Sequence, residues 1–139
     1  MPRKTAATMM RAVCIAFLAV AFVLFGAAFP ATDEPVRFLI DVLKWPVDGN
    51  PAKLDAYARW TLAISGGLSA AFAIFSYMIV APAIEENDKK VQNAALCAVL
   101  AWFVMDTTGS IVTGFPLNAL FNLSFLVLYV PPLLLARAK

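Results

Sequence analysis

The placement of charge constrains this chain more than any other feature. No charged residue lies between Arg11 and Asp33, or between Arg59 and Glu85, and from Lys90 to Arg137 the only charge is Asp106. A helix that crosses a bilayer needs about 20 mostly apolar residues. The first two gaps hold one span each and the third holds two. The spacing therefore predicts spans over residues 12–32, 60–84, 91–113 and 116–136. The third gap needs a turn, and Thr113-Gly114-Phe115-Pro116 supplies it: glycine permits a tight bend, and proline suits the start of a new helix. Of the 139 residues, 62% are hydrophobic and 14% charged, against about 45–50% and about 25% in ordinary globular chains. That balance excludes a disordered chain, a nucleic-acid-binding module and a typical soluble enzyme domain. The expected fold class is an all-α integral membrane protein forming one domain over residues 1–139. Four transmembrane helices make an antiparallel bundle, with one short amphipathic surface helix in the first extracytoplasmic loop.

Arg3, Lys4 and Arg11 ahead of the apolar run Ala12–Phe25 also fit the layout of a secretory signal. With Met1 present, the expectation is a retained first span. Orientation follows the short basic segments. Arg3, Lys4 and Arg11 flank the first span, Lys89 and Lys90 sit between spans two and three, and Arg137 and Lys139 follow span four. The loop Pro30–Arg59 balances Arg37, Lys44, Lys53 and Arg59 against five acidic residues. Both termini are thus expected in the cytoplasm, and the membrane is expected to be a bacterial inner membrane.

Within that loop, Val36, Leu39, Ile40 and Leu43 share one helical face over 35–45, widened by Phe38, Val42 and Trp45. Arg37, Asp41, Lys44 and Asp48 form the opposite stripe, at a spacing that pairs unlike charges along a helix. The segment reads as an interfacial helix, either a lid on the bundle or a docking surface made by Phe38, Leu39, Val42, Leu43 and Trp45. Asn50-Pro51 is expected to cap and open the helix that becomes span two, with Tyr57 and Trp60 at headgroup level.

Span two carries Ser65, Gly66, Gly67, Ser69 and Ala70, spaced as small-x-x-x-small pairs that let helix backbones approach closely in lipid. They predict a packing face, within the chain or against another subunit. Asp106 is the most informative residue, because a charge in hydrocarbon is costly and marks something specific. Ser110 lies one turn on and Trp102 one turn back. Across the turn, Asn118 and Asn122 fall at comparable depth, so Asp106, Ser110, Asn118, Asn122 and Trp102 are expected to cluster. No Lys, Arg or His lies in any span to pair with the carboxyl. Such a cluster serves as a hydrogen-bonded staple, as a ligand or cation site, or in proton transfer. Only Gln92 and Asn93 of span three extend it inward, which leaves a proton relay incomplete.

The chain has no histidine. That removes the usual haem ligand, the commonest zinc ligand and any Ser-His or Cys-His nucleophile pair. Cys14 and Cys97 share no metal-ligand spacing and read as small core residues. We expect no catalytic residue, no metal and no haem; a bound lipid, quinone or pigment is compatible with the apolar spans. Asn122-Leu123-Ser124 matches a glycosylation acceptor but falls inside a span. Pro131-Pro132 is expected to kink or end the last helix. The plan broadly resembles several families of small bacterial four-span proteins, in which a proline ends the first span (here Pro30), a surface helix follows, and a glycine-rich second span comes next (here Gly66-Gly67). The resemblance implies no catalytic residue.

Two functions remain in contention. The favoured one is a non-catalytic accessory subunit of a larger respiratory, photosynthetic or transport complex. The other is a homo-oligomeric protein that binds or transports a small molecule or cation through its Asp/Asn cluster. The expected partners are the lipid bilayer and other membrane subunits or further copies of the chain, and not nucleic acid.

Overall fold

The computed structural model describes residues 1–51 and 53–136. All its regular structure is helical among these residues: α1 (Arg3–Gly26), α2 (Glu34–Lys44), α3 (Ala56–Phe75), α4 (Ala81–Glu86), α5 (Lys89–Val112) and α6 (Leu117–Leu135). A π-turn at Ser76–Val80 joins α3 to α4, so that Ala56–Glu86 forms one 31-residue helical stretch. That stretch, α1, α5 and α6 are each long and apolar enough to cross a membrane. Arg137 and Lys139, on which part of the orientation argument rests, lie outside the described residues.

The π-turn has a local cause. Pro82 has no N–H to give the carbonyl four residues back, and its ring crowds that carbonyl. Immediately before it the helix widens, and the Ala81 N–H donates to the Ser76 carbonyl five residues back. The helix passes its proline without breaking. A second proline site lies near the end of α6, three residues before its last residue. Pro131 and Pro132 both lie inside α6, which continues to Leu135. The helix end is met by the Met1 ammonium, which donates to the Leu135 carbonyl at 2.9 Å.

The start of α3 also departs from expectation. Asn50-Pro51 lies outside the helix, which begins at Ala56 with the Asp55 carboxylate accepting from the Ala58 N–H at 2.7 Å. Asp55 supplies the charged acceptor that a helix N-terminus favours, five residues later than the Asn-Pro pair proposed. Tyr57 and Trp60 are exposed near this end. At the opposite end, Asn87 takes the left-handed conformation (φ 61°) that closes α4, and Asp88 caps α5 by accepting from the N–H groups of Lys90 and Val91. Arg11 and Glu85 make an ion pair at 2.8 Å there.

α1 packs most extensively against α3, and also against α4 and α6; α6 packs against α5. Gly66 sets the α1–α3 distance. A Cβ at this position would lie 2.6 Å from the Phe25 nitrogen and 2.7 Å from the Ala21 oxygen, both backbone atoms of α1. α5 meets the long helical stretch at the π-turn and α4. Five aromatic residues meet between the helices: Phe125 stacks on Phe17 at 4.4 Å and contacts Trp102, Phe72 and Tyr129. Beneath them the Ser76 and Tyr129 hydroxyls share a buried hydrogen bond of 2.8 Å.

α2 lies against α6 and α1. The expected stripe Arg37, Asp41, Lys44 and Asp48 makes no ion pair within itself among the described residues, and the one i,i+4 ion pair here joins Arg37 to Asp33. Asp33, just ahead of α2, is buried and accepts from Arg59 of α3 at 2.6 Å, with Arg37 at 3.7 Å. Arg37 also donates to the Pro51 carbonyl, and buried Asp41 accepts from the Gly49 N–H. Partners from α3 and the following loop outcompete an exposed i,i+4 pair because they reach partly buried carboxylates, where hydrogen bonds to charge contribute more. Asp33→Asn is expected to cost about 1–3 kcal/mol, since the Arg59 guanidinium would lose its charged partner. The readout is the melting temperature in detergent, with faster hydrogen exchange confined to α2 and residues 45–55. Uniform exchange across the spans would contradict this local role.

Candidate functional site

The halves of the helices next to α2 line a cavity of about 600 Å³. Its walls come from α1 (Phe17, Val20, Leu24), α3 and α5, α6 closes the back, and Leu39 and Leu43 of α2 form the roof. The aromatic cluster is its floor: Phe17, Phe72, Trp102 and Phe125 all line it. Its polar end is one hydrogen-bonded group. Oδ1 of Asp106 accepts from the Ser110 hydroxyl at 3.1 Å and from the Asn118 amide at 2.9 Å, and the same amide contacts Ser110 Oγ at 2.7 Å. Among the described residues no group donates to Oδ2 of Asp106, and no Lys or Arg lines the cavity. At about 1.5 Å per residue, Asp106 lies about 9 Å inward from the end of α5.

Helical geometry explains this convergence. Asp106 and Ser110 are one turn apart on α5. The tight turn that follows, with Gly114 at φ 88°, returns the chain so that α6 packs alongside α5 and Asn118 faces both side chains. Asn122 is buried and lines the same cavity, but its amide donates to Thr107 Oγ1 at 3.1 Å rather than to Asp106. The expected five-residue cluster is therefore a triad, Asp106–Ser110–Asn118, beside a separate Thr107–Asn122 pair. Trp102 lies a turn below as part of the floor.

The small residues of α3 separate into distinct faces. Gly66 is buried against α1. Ser65 and Ser69 line the cavity, Ala70 is half-buried, and Gly67 is exposed with nothing within 4 Å of an added Cβ. Successive residues point about 100° apart on a helix, so one run of small residues cannot form one contact. Of the α2 residues proposed for docking, Leu39 and Leu43 face the cavity, Val42 is half-buried, and Phe38 and Trp45 are exposed. Cys14 is buried while Cys97 is exposed on α5, so only the first is a core residue.

Sequence reasoning missed Thr107, the Ser76–Tyr129 bond and the cavity itself. A polar residue at each end of the two last pairings was the available signal, but the partners lie on helices whose rotation the sequence does not specify. Among the described residues, no group of His, Cys, Asp and Glu side chains is arranged to hold a metal. No protein-family model matches this chain, and comparison with curated proteins and with solved structures gave no match.

Proposed function

We propose that this protein binds a small amphiphilic molecule within the membrane. The observation that supports this most directly is the cavity itself. Ligand sites characteristically measure about 300–1,000 Å³, with mainly apolar walls and a few convergent polar groups. Here apolar and aromatic walls surround one carboxyl that keeps an oxygen without a donor among the described residues. A complementary ligand carries an apolar body for the aromatic floor and a head that donates a hydrogen bond or bears positive charge, directed at Asp106. Ser110 and Asn118 hold the carboxyl in place.

In this reading the four helices cross the bilayer as an antiparallel bundle with both termini in the cytoplasm of a bacterial cell. The cavity then lies in the outer leaflet, with α2 at the outer surface above it. The protein acts by binding, as a carrier or receptor, and not as an enzyme: a single carboxyl with two neutral donors lacks the second titrating group that acid–base chemistry requires.

Dodecylamine is a suitable probe, having a donating, cationic head and one chain. Asp106→Asn is expected to weaken its binding by about tenfold or more, because one charge-assisted hydrogen bond contributes about 1.5–3 kcal/mol, while the melting temperature stays within a few degrees. Isothermal titration in nanodiscs measures the first and circular dichroism the second. Unchanged affinity overturns the assignment. Unfolding of the variant would make the triad a staple between α5 and α6.

A second reading, an accessory subunit of a larger complex, has its own observation in the exposed small-residue face at Gly67 and Ala71. Native mass spectrometry after gentle extraction separates the two readings: co-migration at fixed stoichiometry supports a subunit, and a free protein carrying a bound small mass supports a binder.

A further inference from the structure

We propose that the cavity admits its ligand sideways, from the acyl-chain region of the bilayer, through a gap between α3 and α5 near the middle of the membrane. The inference rests on the binding role above and adds the route and the source of the ligand.

The walls of the cavity are not equally covered. Every lining residue contributed by α1, α2 and α6 is buried or half-buried. The lining residues that are exposed are Ser65 and Leu68 on α3 and Ala98 on α5, with Leu68 exposed to 68%. A residue that lines a cavity and also faces outward stands at its mouth. All three stand on two helices that pack little on one another: α5 meets the long helical stretch chiefly at the π-turn and α4. In the outer half α3 leans on α1 instead, held there by Gly66. The side chains at the mouth are short on α5 and short or flexible on α3, so none obstructs it.

Depth identifies the surroundings. Ser65 lies about 14 Å inward from the start of α3, and Ala98 about 14 Å from the start of α5 at the opposite end, counting about 1.5 Å per residue. With a hydrocarbon core about 30 Å thick, the mouth opens at the level of the acyl chains. The aqueous end is shut. Leu39 and Leu43 cover it, and α2 is fastened by the Asp33–Arg59 ion pair, the Arg37–Pro51 hydrogen bond and the Asp41–Gly49 hydrogen bond. A molecule already dissolved in the membrane reaches Asp106 without crossing that roof. The ligand class is accordingly a membrane-dissolved, single-chain amphiphile with a donating head.

Trp102 provides the test, since it lines the cavity between the mouth and Asp106. The chain has three tryptophans. Trp45 and Trp60 are exposed, and Trp45→Phe with Trp60→Phe leaves Trp102 as the sole reporter. The full chain is reconstituted in phosphatidylcholine vesicles whose acyl chains are brominated near mid-chain. About a twofold loss of Trp102 emission is expected, given a mouth at acyl-chain depth, with little loss to aqueous iodide. Ala98→Phe in the same background is expected to block the gap and restore most of the emission. Iodide quenching equal to or greater than that by brominated lipid overturns the proposal, as does quenching by neither. Lipid quenching that Ala98→Phe leaves unchanged also overturns it, because access would lie elsewhere. Dodecylamine tests the binding role separately. If lipid access is as stated but saturating dodecylamine gives Trp102 no protection, the binding assignment fails and the lateral opening stands.

Discussion

Gly66→Leu is expected to prevent normal assembly of the helices, while Gly67→Leu, one residue on, is expected to be almost silent. Overfilling a packed contact typically costs about 1–3 kcal/mol when side chains can move aside. At Gly66 the obstacles are the backbone nitrogen of Phe25 and the carbonyl oxygen of Ala21, so α1 and α3 must separate along their length. The cost should reach or exceed the top of that range. It appears as loss of the monodisperse folded species on size exclusion in mild detergent, or as a melting temperature lowered by ten degrees or more. At Gly67 an added side chain meets open space, and leucine suits a lipid-facing helix. Equal effects of the two substitutions would show that α3 is rotated from the orientation described. A loss at Gly67 alone would point to a partner on that face.

Phe125→Ala is the second large effect. Phe125 is buried and touches Phe17, Phe72, Trp102 and Tyr129, so it joins α1, α3, α5 and α6 at one point. In water-soluble cores such a truncation costs about 3–5 kcal/mol. In lipid the transfer part of that cost is small, because acyl chains are as apolar as the core. What remains is lost dispersion and the void, so about 2–3 kcal/mol is expected, at or below the low end of the range for aromatic truncation in water-soluble cores. Reversible unfolding in mixed micelles measures it. The substitution also removes part of the cavity floor, so a ligand with a longer chain should gain affinity relative to dodecylamine. Destabilisation with an unchanged chain-length preference would place the ligand's tail away from the aromatic cluster.

How far the sequence discloses this arrangement differs from feature to feature. The four long apolar helices follow from the gaps between charges, since a charge is expensive in hydrocarbon wherever it falls. The α5–α6 turn follows from Gly114 and Pro116, and the place of α2 follows from its helical spacing. Asp106, Ser110 and Asn118 were legible as neighbours because a tight turn fixes the relative depth of the two helices it joins. Asn122 was misassigned because depth alone does not determine rotation about the axis, and it is rotation that gives it to Thr107. The small residues of α3 were legible as a group but not as separate faces, for the same reason. The passage of the chain through Pro82 was illegible: a proline predicts a disturbed helix, but not that a single wide turn will absorb it. The start of α3 at Ala56 was missed because Asn50-Pro51 and Asp55 are both competent caps, and the contacts of the preceding loop decide between them.

The Ser76–Tyr129 hydrogen bond and the packing of α4 on α5 close the α4 end of the molecule, and the opening proposed between α3 and α5 leads to the cavity beyond them. A chamber with one doorway obeys a simple kinetic rule: arrival and departure pass the same constriction. Widening the space between α3 and α5 should therefore accelerate exchange in both directions and leave the equilibrium constant where it was. Affinity and residence time can then be adjusted separately, the first at Asp106 and the second at Leu68 and Ala98. Vectorial movement across the membrane would require the lower seal to break, and the wide turn beside Ser76 is where the long helix has the slack to let it.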